Sequence, residues 1–270
     1  MSPLFKKDGA KFADLHPPVI ASSPATPTYG PFGTPFASLS LHLSDRIRLI
    51  QFPQCDIDGL REVIRAEYPF GIGNERTYGV SHEYKLNGNP WSGQGRDAIP
   101  SRIIMREILA YLFRNGWILH ASTDVSKKEF DKDTLVFRKQ HHPPPESEWI
   151  AISFNQSDRL RLVGADMVLI SATRELLQTM GLLQKESWKD EALGAKEFKL
   201  HGNPWTPMGE ETMSTRQLLL MLIGALDNHG FSLYASIDQS SGDGESTRGA
   251  DTWFCVREKN WAPGSPVFHR

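Results

Sequence analysis

One stretch of the chain occurs twice, and this duplication constrains the fold more than any other feature of the sequence. The first copy, Glu83–Trp91, reads EYKLNGNPW, and the second, Glu197–Trp205, reads EFKLHGNPW. Another pair, SDRIRL at 44–49 and SDRLRL at 157–162, precedes the first pair in the same order. Similar segments that recur in one order along a chain indicate two copies of one structural unit.

Each copy contains the same series of predicted elements. Alternating apolar and polar residues predict strands, and apolar residues at helical spacing that end at Gly or Pro predict helices. The predicted order is ββαβαββ in each copy, an α+β fold in which a mostly antiparallel sheet carries two helices on one face. We expect the two copies to pack in a pseudo-two-fold arrangement.

The predicted boundaries follow the repeat and the proline content. They are a Pro-rich disordered N-terminal segment at 1–36, a first repeat at 37–139, a Pro-rich linker at 140–146, a second repeat at 147–259 and a C-terminal tail at 260–270. The N-terminal segment has too few apolar residues to offset the entropy lost on ordering. It is either a plain disordered leader or a docking tail with extended proline segments.

Composition argues against several classes of protein. A net charge of −2 gives no general attraction to nucleic acid or to anionic membranes. The chain has two cysteines, Cys55 and Cys255, no secretory leader, and no apolar run of about 18 residues that would span a membrane. We therefore expect a cytoplasmic or nuclear protein without a membrane span.

Polar residues recur at outward-facing strand positions of both copies. If helices cover one face of each sheet, these side chains collect on the other face. They are Arg46, Arg48, Glu83, Lys85, Ser122 and Asp124 in the first copy, and Arg159, Arg161, Glu197, Lys199, Ser236 and Asp238 in the second. One interpretation is a polar binding face or an acid/base site. The other is a ladder of opposite charges on neighbouring strands, which stabilises the sheet.

The repeated Gly-Asn-Pro-Trp loop runs towards a helix that carries an arginine in its first turn. Free N–H groups at a helix start and a nearby guanidinium suit an anionic ligand. The candidate ligand-binding residues are Asn89, Trp91 and Arg102, and their counterparts Asn203, Trp205 and Arg216. The alternative is structural, with each Trp closing one end of a core.

The second-copy helix that contains Leu218–Ile223 is apolar almost all round. A helix without a polar face is normally covered on several sides. We expect it to lie between its own sheet and either the other copy or a partner chain; burial within its own unit is the alternative.

The sequence contains no known catalytic motif and no metal-ligand spacing, so no cofactor or metal is predicted. The favoured function is a non-enzymatic interaction or ligand-binding protein, with a protein partner or a small anionic ligand; a homo-oligomer is compatible with it. The first alternative is an enzyme for a small phosphorylated substrate, with Asp124 or Asp238 as base and Arg102 or Arg216 as anion clamp. The second is a nucleic-acid-binding protein, which the charge balance disfavours.

Overall fold

The computed structural model describes residues 33–93, 95–123, 131–239 and 251–267, with the side chains of 131–133 left out. Asp124 and the predicted N-terminal segment up to residue 32 lie outside the described residues. From Thr34 onwards the chain forms one unit that contains both repeats.

The first copy forms an antiparallel sheet of six strands with two α-helices. Its elements are β1 (Phe36–His42), β2 (Arg46–Ile50), α1 (Gln54–Glu67), β3 (Ile72–Tyr78), β4 (Ser81–Leu86), α2 (Ala98–Arg114), β5 (Trp117–Thr123) and β6 (Asp131–Lys139). The strand order across this first sheet is β3-β4-β2-β1-β6-β5.

The second copy repeats this arrangement. Its elements are β7 (Ser147–Asn155), β8 (Arg159–Val163), α3 (Met167–Thr179), β9 (Leu183–Asp190), β10 (Ala195–Leu200), α4 (Glu211–Asn228), β11 (Ser232–Ile237) and β12 (Thr252–Glu258). The order across this second sheet is β9-β10-β8-β7-β12-β11, so each strand has its counterpart in the same place. The α+β class and the internal duplication are confirmed.

Each copy contains one strand more than the sequence predicted, so the order is ββαββαββ. The additional strands, β3 and β9, lie at sheet edges and are largely exposed. An edge strand that buries neither face needs no alternation of apolar and polar residues, and the β3 sequence IGNERTY has none.

The two sheets differ in how they are covered. Helix α1 lies on the first sheet, where the Tyr84 hydroxyl donates a 2.6 Å hydrogen bond to the Ile57 carbonyl. Helix α2 packs on α1 and β5 of its own copy and also on β7 and β8 of the second sheet. Helices α3 and α4 enclose a separate core on the other face of the second sheet. The second sheet therefore has helices on both faces, and the first sheet on one.

Aromatic rings and an edge contact join the two copies. Phe113 of α2 meets Trp149 and Tyr234 of the second sheet edge-to-face, with ring centroids 5.3 Å and 5.4 Å away. The equivalent edge strands β5 and β11 are neighbours, and the Leu119 amide donates to the Tyr234 hydroxyl at 2.7 Å. The copies thus meet at matching edges, while α2 alone supplies the face-to-face packing described between them.

A glycine lies where the Arg106 side chain of α2 reaches the second sheet. Gly164 has φ of +81°, and a Cβ atom there would lie 2.1 Å from Nη1 of Arg106. The same place in the first copy is taken by Gln51, which is exposed and has φ of +65°. A side chain at residue 164 would have to displace the Arg106 guanidinium, a contact that the first copy lacks at Gln51.

Among the described residues, the other copy does not cover the apolar second-copy helix, so that form of the prediction is wrong, while cover by a partner chain stays a prediction. Leu218, Leu222 and Leu226 of α4 face their own core, but Leu220 is 70% and Met221 45% exposed. The helix covered on two sides is instead α2, despite its arginines. Within the described residues, no helix is long and apolar enough to cross a membrane.

The two Gly-Asn-Pro-Trp loops occupy equivalent places. The indole Nε1 of Trp91 donates to the Arg46 carbonyl at 3.0 Å, and that of Trp205 donates to the Arg159 carbonyl at 2.9 Å. Trp91 is fully buried, whereas Trp205 is partly exposed beside Phe154. The first loop is therefore more deeply anchored than the second.

We expect Trp91→Ala to lower the free energy of unfolding by about 3–5 kcal/mol, because it empties a fully enclosed site. Trp205→Ala should cost less, since part of its ring already contacts water. Urea denaturation measures both values. Trp188→Ala, on the exposed side of β9, is the matched control, and equal losses for Trp91 and Trp188 would contradict this difference in burial.

Candidate functional site

A row of four polar residues crosses each sheet at the same register. Thr, Ser, Arg and Glu stand side by side on four neighbouring strands, on the face opposite the copy's own helices. The two rows are Thr134–Ser40–Arg48–Glu83 in the first sheet and Thr252–Ser153–Arg161–Glu197 in the second. Because both copies keep all four residue types, the row is a feature of the unit and not of one local environment.

In the first sheet, three arginines surround the carboxylate of the row. Glu83 is only 1% exposed and accepts hydrogen bonds from Arg46 at 2.6 Å, Arg48 at 2.7 Å and Arg76 at 2.8 Å. Burial alone would raise the pKa of Glu83, but the three guanidinium groups outweigh it and hold the pKa below its usual range. Arg46 also lies 3.5 Å from the carboxylate of Asp45, so two carboxylates offset part of the three positive charges and the cluster stays positive.

The surface around this cluster is exposed and contains an aromatic ring. The guanidinium of Arg48 lies 4.0 Å, and that of Arg76 5.2 Å, from the centroid of the Tyr78 ring. Lys85, on the next row, is exposed. Among the described residues, no helix lies on this face, so we call it the free face of the first sheet.

In the second sheet, the same row is buried. Arg161 donates to Glu197 at 2.7 Å and Arg159 donates to it at 3.2 Å. Ser187 stands opposite Glu197, where the first sheet has Arg76 opposite Glu83. The second row therefore has one arginine fewer, and Arg161 is shielded from water.

The start of α2 covers this second row. Arg102 is 4% exposed, and its Nη1 donates to the Ala98 carbonyl at 2.9 Å. Burial lowers the pKa of the Arg102 guanidinium, nearby Arg161 lowers it further, and Asp238 raises it in part, so that it is about 10. Gln239 holds the same turn by donating to the Ser101 carbonyl at 3.1 Å.

Two guanidinium groups thus lie together between the copies. The Nε atoms of Arg102 and Arg161 have no hydrogen-bond acceptor within the described part of the chain. Such burial costs free energy, which the apolar packing of α2 against β7 and β8 must offset. The row beneath α2 therefore contributes less to the free energy of unfolding than its ion pairs alone suggest.

The predicted anion site at each Gly-Asn-Pro-Trp loop holds a carboxylate of the chain itself. Asp97 accepts from the Asn89 amide at 3.2 Å and from the Tyr68 hydroxyl at 3.4 Å. In the second copy, Glu211 accepts from the Met208 amide at 3.3 Å. These carboxylates repel a negatively charged ligand. Anion binding there stays a prediction with a weaker physical basis.

The remaining predicted residues do not converge on one site. Arg216 and Asn203 are exposed, and Arg216 approaches Met213, so it lacks the buried setting of Arg102. Ser122 is exposed on β5, while Ser236 donates to Asp251 at 2.8 Å. Lys199 lies beside Asp158 at 4.0 Å. The structure brings Asp238 close to Arg102 across the two copies.

Sequence reasoning missed the serine and threonine of each row, and also Arg76 and Tyr78. Ser40 and Ser153 were detectable, because they occupy equivalent positions in the aligned copies. Arg76 and Tyr78 lie on β3, which the sequence did not predict as a strand. Burial raises the pKa of the Cys255 thiol, and no group of three or more metal-ligating side chains occurs among the described residues.

We expect Glu83→Gln to lower the free energy of unfolding at neutral pH by about 1–3 kcal/mol, because three guanidinium groups lose their charged acceptor. The pKa of Glu83 is depressed in the folded state, so its contribution is complete above the unfolded pKa of about 4.3 and disappears as the pH falls through the folded pKa. Urea denaturation at neutral and acid pH measures this change.

The difference between wild type and Glu83→Gln should therefore shrink on acidification. Glu62→Gln is the control, since the exposed Glu62 pairs only with Arg65 on the helix surface. A difference that stays constant down to acid pH would mean that the charge of Glu83 does not stabilise the fold.

Comparison with known proteins adds a family but no activity. No curated protein and no solved structure matches the chain. The model of one domain family matches twice, at residues 35–138 and 148–256, and carries no statement of ligand or partner. These matches cover more than half of the chain, so the chain belongs to this domain family and carries its domain twice.

Proposed function

We propose that this chain is a non-enzymatic interaction protein, and that the free face of its first sheet binds a helix of a protein partner. One observation carries the proposal. The Thr-Ser-Arg-Glu row occurs in both sheets, and in the second sheet a helix, α2, already covers it. In the first sheet, no helix of the described residues lies on the same row.

The chemistry of the free face supports protein binding. Arg48 and Arg76 lie over the ring of Tyr78, and arginine and tyrosine are enriched at protein interfaces. The positive cluster around Glu83 favours a partner with acidic residues. Ser38, next to this cluster on β1, is small, as is its counterpart Ala151 beneath α2. Small side chains leave room for a helix backbone to approach.

The two alternative functions have less support. An enzyme that uses Arg102 as anion clamp needs this side chain to reach a substrate, yet Arg102 is buried between the copies. Nucleic-acid binding would be favoured by arginines of both copies aligned in one exposed stripe. Arg161 is buried beneath α2, so it adds no charge to the surface that carries Arg48.

To test this, a photo-crosslinking amino acid replaces Ser38 in the full chain, which is expressed in cells of the organism that it comes from. We expect adducts with helical segments of protein, because position 38 lies where a docked helix would pass. Mass spectrometry of the digested adducts identifies them. Position 187 on β9 is the control, since Ser187 is also a strand serine, lies on the second sheet and is more exposed than the half-buried Ser38. It should give several-fold fewer adducts.

Equal adduct yields at the two positions would contradict the proposal. So would a clear rise in the thermal midpoint of unfolding with a phosphorylated metabolite, because specific binding to the folded state raises that midpoint. That result would favour the enzyme alternative.

A further inference from the structure

Helix α4 exposes an apolar surface. Leu220 is 70%, Met221 45% and Ile223 39% exposed, and all three lie within one turn of the helix. Exposed apolar side chains that cluster on one element are characteristic of an interaction surface. We call these three residues, with Arg216, the open face of α4.

The open face of α4 matches the part of α2 that packs on the second sheet. The two helices align from their shared arginine to their closing Gly116 and Gly230. The α2 positions that turn towards the second sheet are Arg102, Arg106, Leu109 and Phe113, and their α4 counterparts are Arg216, Leu220, Ile223 and Asp227.

The contacts of α2 show how this face of the helix packs on a sheet. Arg106 Nη1 donates to the Val163 carbonyl at 3.4 Å, and Phe113 packs edge-to-face on Trp149. Leu109 lies between them by helical spacing and is fully buried. In α2 this face packs on a sheet, whereas in α4 the same face is exposed.

In the part of the chain that the structure describes, two surfaces therefore match the halves of one interface, a sheet face without a helix and a helix face without a sheet. We infer that α4 of one chain docks on the free face of the first sheet of a second copy, as α2 docks on the second sheet within the chain. This inference rests on the proposed function and names the partner helix.

The start of α4 carries charges of both signs, and the free face of the first sheet is mainly positive. The first turn of α2 lies over the row that contains Arg161, so the start of α4 would lie over the row that contains Arg48. Glu210 and Glu211 stand at the start of α4 and are exposed. Arg216, the counterpart of Arg102, would lie beside Arg48, as Arg102 lies beside Arg161. Glu83 and Asp45 offset part of the positive charge of the free face at this point.

The contact between chains has less apolar area than the one within the chain. Ser38 replaces Ala151, and Arg138 replaces Val256, at positions beneath the helix. Leu220 is shorter than Arg106, which leaves space for the side chain of Gln51. We therefore expect reversible, concentration-dependent association.

The two surfaces differ, so the association is head-to-tail. Such an interface adds further chains unless the assembly closes into a ring. It also differs from symmetric pairing in one measurable way. A variant with a damaged sheet face and a variant with a damaged helix face can still bind each other when they are mixed.

The test is sedimentation velocity of the full chain over a range of concentrations. Wild type should increase in size with concentration. Ser38→Arg blocks the sheet face and Ile223→Arg charges the helix face, and each should weaken association at least about tenfold, equivalent to 1.4 kcal/mol. Ser187→Arg, the same change on the second sheet, should behave as wild type. Leu220→Asn, at a largely exposed position, is the second helix-face variant if Ile223→Arg misfolds.

Mixing Ser38→Arg with Ile223→Arg should give a one-to-one complex that grows no further, because one intact sheet face meets one intact helix face. Wild type that stays monomeric at every concentration would overturn the inference, and so would a mixture that stays monomeric.

If self-association fails while position 38 still crosslinks to another protein, the proposed function stands and only the identity of the helix is wrong. If position 38 gives no adducts above the control either, both proposals fail.

Discussion

One helix with two buried faces holds the two copies together. Helix α2 contributes Ile104, Ile108 and Leu112 to its own core, while Phe113 reaches Trp149 of the second sheet. Most amphipathic helices bury one stripe and leave the other in water. Because α2 buries both stripes, removal of the second copy would expose an apolar surface of the first copy to water. The stability of each repeat therefore depends on the other.

The Thr-Ser-Arg-Glu row has different electrostatic surroundings in the two sheets. On the free face, Glu83 binds three arginines that water can still partly solvate. Beneath α2, Arg161 and Arg102 are enclosed side by side, which lowers the pKa of Arg102. Buried charges contribute little net stability but restrict the arrangements in which a surface can pack. The row therefore sets where a helix can lie more than how tightly it is held.

The sequence was sufficient for the features that repeat locally. The two Trp loops, the paired strands and the helix ends recur in both copies, and these could be aligned without coordinates. Which faces the copies bury could not be predicted, because that depends on contacts distant in sequence, such as Arg106 with Val163. The many apolar residues of α4 predicted that this helix is buried on several sides. The helix buried on two sides is instead α2, which carries more charged residues. Edge strand β3 was missed because exposed strands have no alternating pattern to detect.

Gly164 and Gln51 share a left-handed backbone but not a side chain. A Cβ at residue 164 would displace the end of the Arg106 side chain, and with it the 3.4 Å hydrogen bond that Arg106 donates to the Val163 carbonyl. The residue at this turn therefore decides whether one polar contact of the seated helix can form, and it leaves the apolar contacts of Leu109 and Phe113 untouched.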